Sequence, residues 1–343
     1  MSIQVFVPVT EPSQPSAARR AAVDLGEQAG LRGQELGTLA LVVTELATNL
    51  VKHARQGGLF MRRLGIEGTE GVEVLSLDRG PGIQDLSRAL GDGFSTAGSP
   101  GTGLGAIVRT ASAFDIYSQP GTGTAVVVRV RPASAKPVDH EVGVVHQPKE
   151  GEPVCGDEWI VRWFRDGWVC AVVDGLGHGV LASDAAKVIV SAIRAATNCR
   201  HPAALVAAAH EAAKPTRGAA LGVAVRNGEE GVVQFAGVGN IAAVVCEGEQ
   251  RRHLVSYNGI IGHEYRKLSE ITHKWSRQAL LVMHSDGIGT NWDMARYPGL
   301  AARDPSLIAG VLYRDYSRGR DDTTVVVVKD SSQRSAFSNE LQS

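Results

Sequence analysis

Hydrophobic and polar positions along the chain keep two different periods, and the change from one to the other marks out its elements. Near the start, Ile3, Val5 and Val7 alternate as an edge strand does, and Pro8 and Pro12 end the run. Ser16 to Ala29 predicts a helix, with Ala17, Ala21, Val23 and Leu25 as apolar positions before Gly30 and Gly33 break it. A second helix is expected from Gly33 to His53, where Leu36, Leu39, Val42, Val43, Leu46, Leu50 and Val51 hold the three-and-four spacing of a buried face. A strand from Gly71 to Leu77 follows. Next come a glycine-rich segment from Gly91 to Pro100, a helix from Ala106 to Ser112, and a strand pair, Phe114 to Ser118 and Gly123 to Arg131.

A stretch beginning Pro132-Ala133-Ser134 reads as a linker over 132–138 and separates a first domain, 1–131, from a second, 139–330. The second domain opens on an alternating strand, Glu141 to Gln147. Two apolar runs follow, one holding Trp159, Val161 and Trp163, the other Trp168 to Val173. Helices are expected over Gly179 to Arg194 and Pro202 to Lys214. Strands are expected over Ala219 to Arg226, Val232 to Ala236, Ile241 to Glu247, Arg252 to Ser256, Ala279 to His284 and Thr323 to Lys329. Alternating strand pairs with a few helices predict α/β (α+β) sheets covered by helices. The polar tail 331–343 is expected to be disordered.

Composition narrows the partners. At 343 residues the chain is long enough for two cores, and its 35 basic and 36 acidic residues nearly cancel. That balance argues against nucleic acid and against an anionic membrane surface. No apolar run reaches the length of a membrane span, and Met1 to Thr10 lacks a basic leader, so a cytoplasmic location is expected. The four cysteines, Cys155, Cys170, Cys199 and Cys246, have no CxxC spacing and read as buried apolar side chains or a surface thiol.

Candidate chemistry in the first domain lies on three elements. Glu45, Asn49 and His53 stand four residues apart on one helical face. Asp78 ends a strand and leads into Arg79-Gly80-Pro81-Gly82-Ile83. Gly101-Thr102-Gly103-Leu104-Gly105 opens a helix, where free N–H groups can meet phosphates. An Asn oxygen beside a Glu can hold Mg²⁺ while the Glu orients or deprotonates a nucleophile, and a carboxylate at a strand end can accept from an adenine amino group.

The segments TELATNLVKHA, DRGPGI and GTGLG resemble the N box and two glycine boxes of the GHKL (Bergerat-fold) ATPases, in the short form of anti-sigma-factor and switch serine kinases. The resemblance covers 1–131 and implies a Bergerat α/β sandwich that binds ATP with Mg²⁺. It would make Asn49 the Mg²⁺ ligand, Glu45 the catalytic base and Asp78 the adenine acceptor. Gly80, Gly82, Gly101, Thr102, Gly103, Leu104 and Gly105 would shape the pocket and its lid. Ser99 and Pro100, not an arginine, stand just before the second glycine box, which weakens phosphoryl transfer more than ATP binding.

In the second domain a carboxylate recurs at the mouth or exit of a buried strand: Asp157, Asp174, Asp286, and Asp321 or Asp322. Each alone reads as a strand-end turn former. Asp157 and Asp174 can stand side by side on a hairpin, a repulsion that is tolerable mainly with a cation between them. Oxygen donors without Cys or paired His favour Mg²⁺ or Mn²⁺ over Zn²⁺.

The segments Gly156-Asp157, Asp174-Gly175-Leu176-Gly177-His178-Gly179, Gly237-Val238-Gly239-Asn240, Ser285-Asp286-Gly287 and Arg320-Asp321-Asp322-Thr323 resemble the PPM/PP2C-type metal-dependent serine phosphatases. Their SpoIIE-like branch, with its small RsbX-like members, is the nearest in pattern. The resemblance implies an α-β-β-α sandwich with two Mn²⁺ or Mg²⁺ ions. Asp174 would bridge them and the Gly175 carbonyl, Asp157, Asp286 and Asp321 would complete the set, with Asp322 a neighbour and not a ligand. His178 is a candidate general acid in the same turn, where many polar residues would serve.

Together the two resemblances imply a phosphatase with a kinase-like ATP-binding domain. Such a protein acts on phosphorylated STAS-domain proteins, anti-anti-sigma or stressosome-like, in bacterial partner switching, with a sigma factor as a further partner. Intact Glu45 and Asn49 favour a bifunctional kinase and phosphatase. The absent arginine favours a phosphatase whose first domain senses ATP or docks a partner.

Overall fold

The computed structural model describes residues 4–54, 56–65, 70–90, 103–135, 140–197, 200–248, 250–265 and 267–330. The glycine-rich segment 91–100, Gly101, Thr102, Cys199, most of the second half of the linker and the tail 331–343 therefore lie outside the described residues. No helix among the described residues is long and apolar enough to cross a membrane.

In chain order the elements are β1 (Gln4–Pro8), α1 (Gln14–Gln28), α2 (Gly33–His53), β2 (Gly57–Leu64), β3 (Gly71–Asp78), α3 (Leu86–Leu90), α4 (Gly103–Thr110), β4 (Ala113–Gln119) and β5 (Gly123–Val130). The second half begins with β6 (His140–Gln147), β7 (Asp157–Phe164), β8 (Gly167–Gly175), α5 (Val180–Ala195), α6 (Pro202–Ala213), β9 (Ala219–Asn227) and β10 (Val232–Val238). It ends with β11 (Ala242–Glu247), β12 (Gln250–Leu254), β13 (Ile271–Lys274), β14 (Leu280–His284), α7 (Pro305–Tyr316) and β15 (Thr323–Asp330). The mixed α/β class agrees with the sequence. The strands β2 and β13 and the helix α7 were not legible in it.

Contacts divide the chain into two units, and the division does not follow chain order. Among the described residues the first gathers those up to 135 with Ala302–Arg314, and the second gathers His140–Ala301 with the residues from Asp315 onward. A short piece of the second half of the chain thus belongs to the first unit, which a single linker at 132–138 does not anticipate.

The first unit is built on one antiparallel sheet of five strands in the order β1-β2-β3-β5-β4. Alternation splits its strands cleanly. Leu59, Met61, Val72, Val74, Val126 and Val128 pack with the apolar stripe of α2, where Leu39, Val42, Val43 and Leu46 are fully buried or nearly so. The opposite face carries Phe60, Leu75 and the ladder Arg62–Glu73–Arg129, whose members stand directly across from one another in the register. Such a row would ordinarily face water. Here α7 lies along this face: Tyr313 meets Phe60 edge-on at 5.2 Å, and Gly310 sits so close to Leu75 and Leu77 that an added Cβ would come within 2.7 Å of a leucine methyl.

The N-terminus of α7 is tied down by charge. Asp304 accepts from the backbone N–H of Ser306 at 2.9 Å, capping the helix ahead of Pro305. Its carboxylate also receives the Arg129 guanidinium through two bonds of 2.5 and 2.8 Å. Arg62 and Arg129 both reach Glu73, at 2.6 and 2.7 Å, and the Ser306 hydroxyl donates to Glu73 at 3.0 Å. Burial alone would raise the Glu73 carboxyl, but the two guanidiniums outweigh it and hold the group at about 2. Because α7 approaches β3 only where it lacks a side chain, Gly310→Val should cost about 1–3 kcal/mol through overpacking. Thermal unfolding of the variant checks this, and an unchanged transition would refute the close approach.

The second unit stacks two antiparallel sheets, β13-β10-β9-β8-β7 and β12-β11-β14-β15-β6. Trp168, Cys170, Phe235, Leu281, Met283 and Val326 fill the space between them. The alternate residues of β8, Val169, Ala171 and Val173, point outward to Ile189 and Val190 of α5 and Leu205 of α6. Both faces of β8 are therefore buried, which explains why its sequence is an unbroken apolar run that ends in Asp174.

Candidate active sites

In the first unit the helix α2 and the sheet enclose a cavity of about 320 Å³, lined by Glu45, Asn49, Asp78, Gly82, Gly103 and Leu104 among others. Lys52 and His53 line it as well, so the Glu45, Asn49 and His53 stripe faces one space. Gly103 and Leu104 bring the first turn of α4 to the cavity, while Gly105 is buried within that helix.

Asp78 is held by the backbone around it. Its Oδ1 accepts from the N–H groups of Gly80 at 2.6 Å and Thr124 at 3.2 Å, which leaves Oδ2 for a ligand. Burial pushes its carboxyl above the ordinary range, opposed by these N–H groups and by the charges of Arg314 and His53. Two glycines make the site possible. Gly82 has φ of 71°, and a Cβ there would strike the Gln119 carbonyl at 2.3 Å; a Cβ on Gly123 would meet the Asp78 carbonyl at 2.1 Å. A donor set of Asn oxygen, carboxylate and helix N–H groups fits a nucleotide with its Mg²⁺.

In the second unit Asp157 and Asp174 stand directly opposite each other across the β7–β8 ladder. Asp157 is 2% exposed, and its Oδ2 accepts from the Ser285 hydroxyl at 2.6 Å. Ser285 in turn accepts from the Thr324 N–H at 3.0 Å, so this one serine joins the ends of β7, β14 and β15. Asp286 follows it and accepts from the Asn240 amide at 2.8 Å. Asp321 takes the N–H of Asp322 at 2.9 Å, whereas Asp322 is 3% exposed and takes the N–H of Lys149 at 2.8 Å, tying down the loop that leads to Gly156. Asp322 has the partners of a positioning group. Gly175 tolerates no side chain, since a Cβ would lie 2.2 Å from the Ala182 carbonyl.

Among the described residues no three acidic, His or Cys side chains converge tightly enough in this conformation to clasp an ion. The carboxylates nevertheless act on one another. Burial, then repulsion from Asp286, Asp321 and Asp322, raises Asp174 to about 7, and burial with repulsion from Asp174 pushes Asp157 well above its ordinary range. A cluster of hard oxygens kept at that electrostatic cost fits divalent cations of the Mg²⁺ or Mn²⁺ type.

His178 stands apart from the acids in its bonding. Its Nδ1 pairs with Glu152 Oε1 at 2.6 Å, and about half of its side chain is exposed. Sequence reasoning did not single out Glu152, the Ser285 linchpin or the Asn240 amide as partners. It also passed over two cations: Arg217, whose Nη1 would lie 3.1 Å from a Cβ on Gly177, and Arg318, whose charge opposes the rise that burial and Asp321 impose on Asp286. The Ser-Asp-Gly and Gly-Asn runs held the signal for two of these. No spacing points to the arginines.

Comparison with known proteins also divides the chain in two, but in chain order. Residues 9–130 match the family model of the histidine kinase-like ATPase domain, and residues 165–330 match that of stage II sporulation protein E. The serine/threonine-protein kinase RsbT of Bacillus subtilis is 30% identical over 102 residues, covering 30% of this chain and 77% of RsbT. The first part of the chain belongs to the histidine kinase-like ATPase family, and the second matches the SpoIIE family model. The kinase-like part is thus joined to a PP2C/PPM-type serine/threonine phosphatase domain. The phosphoserine phosphatase RsbX of Bacillus subtilis is 24% identical over 152 residues, 44% of this chain and 76% of RsbX. A chain solved in work described as "The bacterial stressosome: a modular system that has been adapted to control secondary messenger signaling" superposes with a TM-score of 0.53 at 26% identity. That match covers 56% of this chain and all of the other. PP2C phosphatases of this kind use Mg²⁺ or Mn²⁺.

Proposed function

We propose that the protein removes phosphate from phosphoserine or phosphothreonine on STAS-domain regulators of a bacterial partner-switching pathway, using two Mn²⁺ or Mg²⁺ ions. The carboxylate cluster around Asp174 carries this reading. A pair of divalent ions bound there supplies acidity to a water and neutralises charge on the phosphoryl group. The chain's own residues do the rest. Asp157, Asp174, Asp286, Asp321 and the Gly175 carbonyl offer the oxygen ligands. Ser285, Asn240 and Asp322 hold the strand ends and loops that carry them. Arg217 and Arg318 offer cations to the arriving phosphate. His178, which bonds Glu152, would hand a proton to the departing serine oxygen.

For the first unit we infer ATP binding with Mg²⁺, Asn49 holding the ion, Glu45 acting as base and Asp78 accepting from adenine. Similarity to a kinase in one part and a phosphatase in the other favours one chain that both adds and removes phosphate. The second reading, in which the first unit senses ATP or docks a partner without transferring phosphate, is favoured by Ser99 and Pro100 where an arginine is expected. Incubation with ATP labelled at the γ-phosphate and a STAS protein encoded beside this chain decides between them. Wild type should pass label to the STAS protein, and Asn49→Ala should lose both transfer and ATP binding. Binding without transfer in wild type would leave the sensing reading.

A further inference from the structure

Asp78 ends a strand whose outward face is covered by α7, and one residue of that helix reaches it. Arg314 is 5% exposed, and its Nη1 donates to the main-chain carbonyl of Asp78 at 3.3 Å. Its charge also counts among those that hold the Asp78 carboxyl down against burial. The approach is enforced on both sides. Gly310 lets the helix settle on Leu75 and Leu77, just before Asp78 in β3, and Tyr313 packs on Phe60. Across the strand, Gly123 lacks the Cβ that would strike the Asp78 carbonyl, so this carbonyl sits close against β5. The carboxylate's Oδ1 is already committed to Gly80 and Thr124. The placement of Oδ2 then depends on how the Asp78 main chain is held, and Arg314 is the side chain that holds it from beneath.

We propose that Arg314 is a positioning residue of the nucleotide site, fixing Asp78 so that Oδ2 accepts the 6-amino group of adenine. A residue from far along the chain would thereby set base selectivity in a pocket otherwise built from the first 130 residues. The proposal rests on the reading of Asp78 as the adenine acceptor, and inosine triphosphate separates the two. Inosine presents a 6-oxo group to the same carboxylate, so it gains nothing from a well-placed Asp78.

The experiment measures ATP and inosine triphosphate binding by calorimetry on the full chain, as wild type, Arg314→Met and Arg314→Lys. Wild type should prefer ATP by at least about tenfold. Arg314→Met should lose about tenfold in ATP affinity, about 1.4 kcal/mol, while its affinity for inosine triphosphate changes less than about twofold. Arg314→Lys, which keeps a charged donor, should stay within about threefold of wild type for ATP. Should the methionine variant fail to fold, Arg314→Gln makes the same comparison with a neutral donor. Wild type without preference between the nucleotides would overturn the Asp78 reading itself. Wild type with a preference, beside a variant that loses both nucleotides equally or neither, would overturn the role of Arg314 alone.

Discussion

Asp174→Asn should reduce Mn²⁺-dependent hydrolysis of p-nitrophenyl phosphate by at least about a thousandfold while the far-ultraviolet spectrum and melting temperature stay near wild type. The magnitude follows from what the cluster is for: without its central carboxylate, the attacking water returns from a pKa near 7 toward about 15.7. The fold should survive, because burial and three neighbouring acids already push Asp174 up to about 7. Replacing a repelled carboxylate with an amide of the same shape relieves that repulsion. The same shift gives the metal-free protein a pH signature. Protons compete for Asp174 below about pH 7, so Mn²⁺ affinity measured by calorimetry should rise with pH up to about 7 and then level off. Full turnover in Asp174→Asn would remove Asp174 from the centre of the chemistry.

The second large effect lies in the first unit. Glu73→Ala should destabilise it by about 3–5 kcal/mol, because two guanidiniums are left buried without the carboxylate between them. For a unit of this size that corresponds to a fall in melting temperature of roughly 6–20 °C. The dependence on pH has a definite sign. Glu73 is depressed from 4.5 to about 2, so its contribution is complete above about 4.5 and is lost as pH falls toward 2. Wild type should therefore lose stability through that window. Glu73→Gln should lack this part of the acid transition, and a parallel loss in both proteins would rule out Glu73 as its source.

These two sites differ in how far they could be read from residues alone. Asp157 and Asp174 close a hairpin of two apolar runs, and antiparallel pairing leaves little freedom in where their carboxylates go. Glu45, Asn49 and His53 are likewise placed by helical period, and all three line one cavity. Both inferences use short-range geometry. What stayed hidden depends on distant packing. In α7, Leu307, Ile308, Ala309, Val311 and Leu312 are all buried, so the helix lacks the two-faced pattern that announces a surface helix. Arg62, Glu73 and Arg129 alternate with apolar residues as a solvated strand face does, and only the arrival of Asp304 and Ser306 makes that face an interior. Asn240 and Ser285 lie in recognisable turns, yet their bonds to Asp286 and Asp157 join strands far apart in sequence.

The membership of Ala302–Arg314 in the first unit has a consequence for how the protein is made. Arg129 waits for a partner 175 residues downstream and Glu73 for one 233 residues downstream. At about 5–20 residues per second, a ribosome takes roughly 10–35 s to supply Asp304 after Arg129 has emerged. During that interval the Arg62–Glu73–Arg129 face and the leucines beside it have no cover from α7. The first unit cannot be finished before nearly all of the second has been synthesised, so its native state waits on most of the chain behind it.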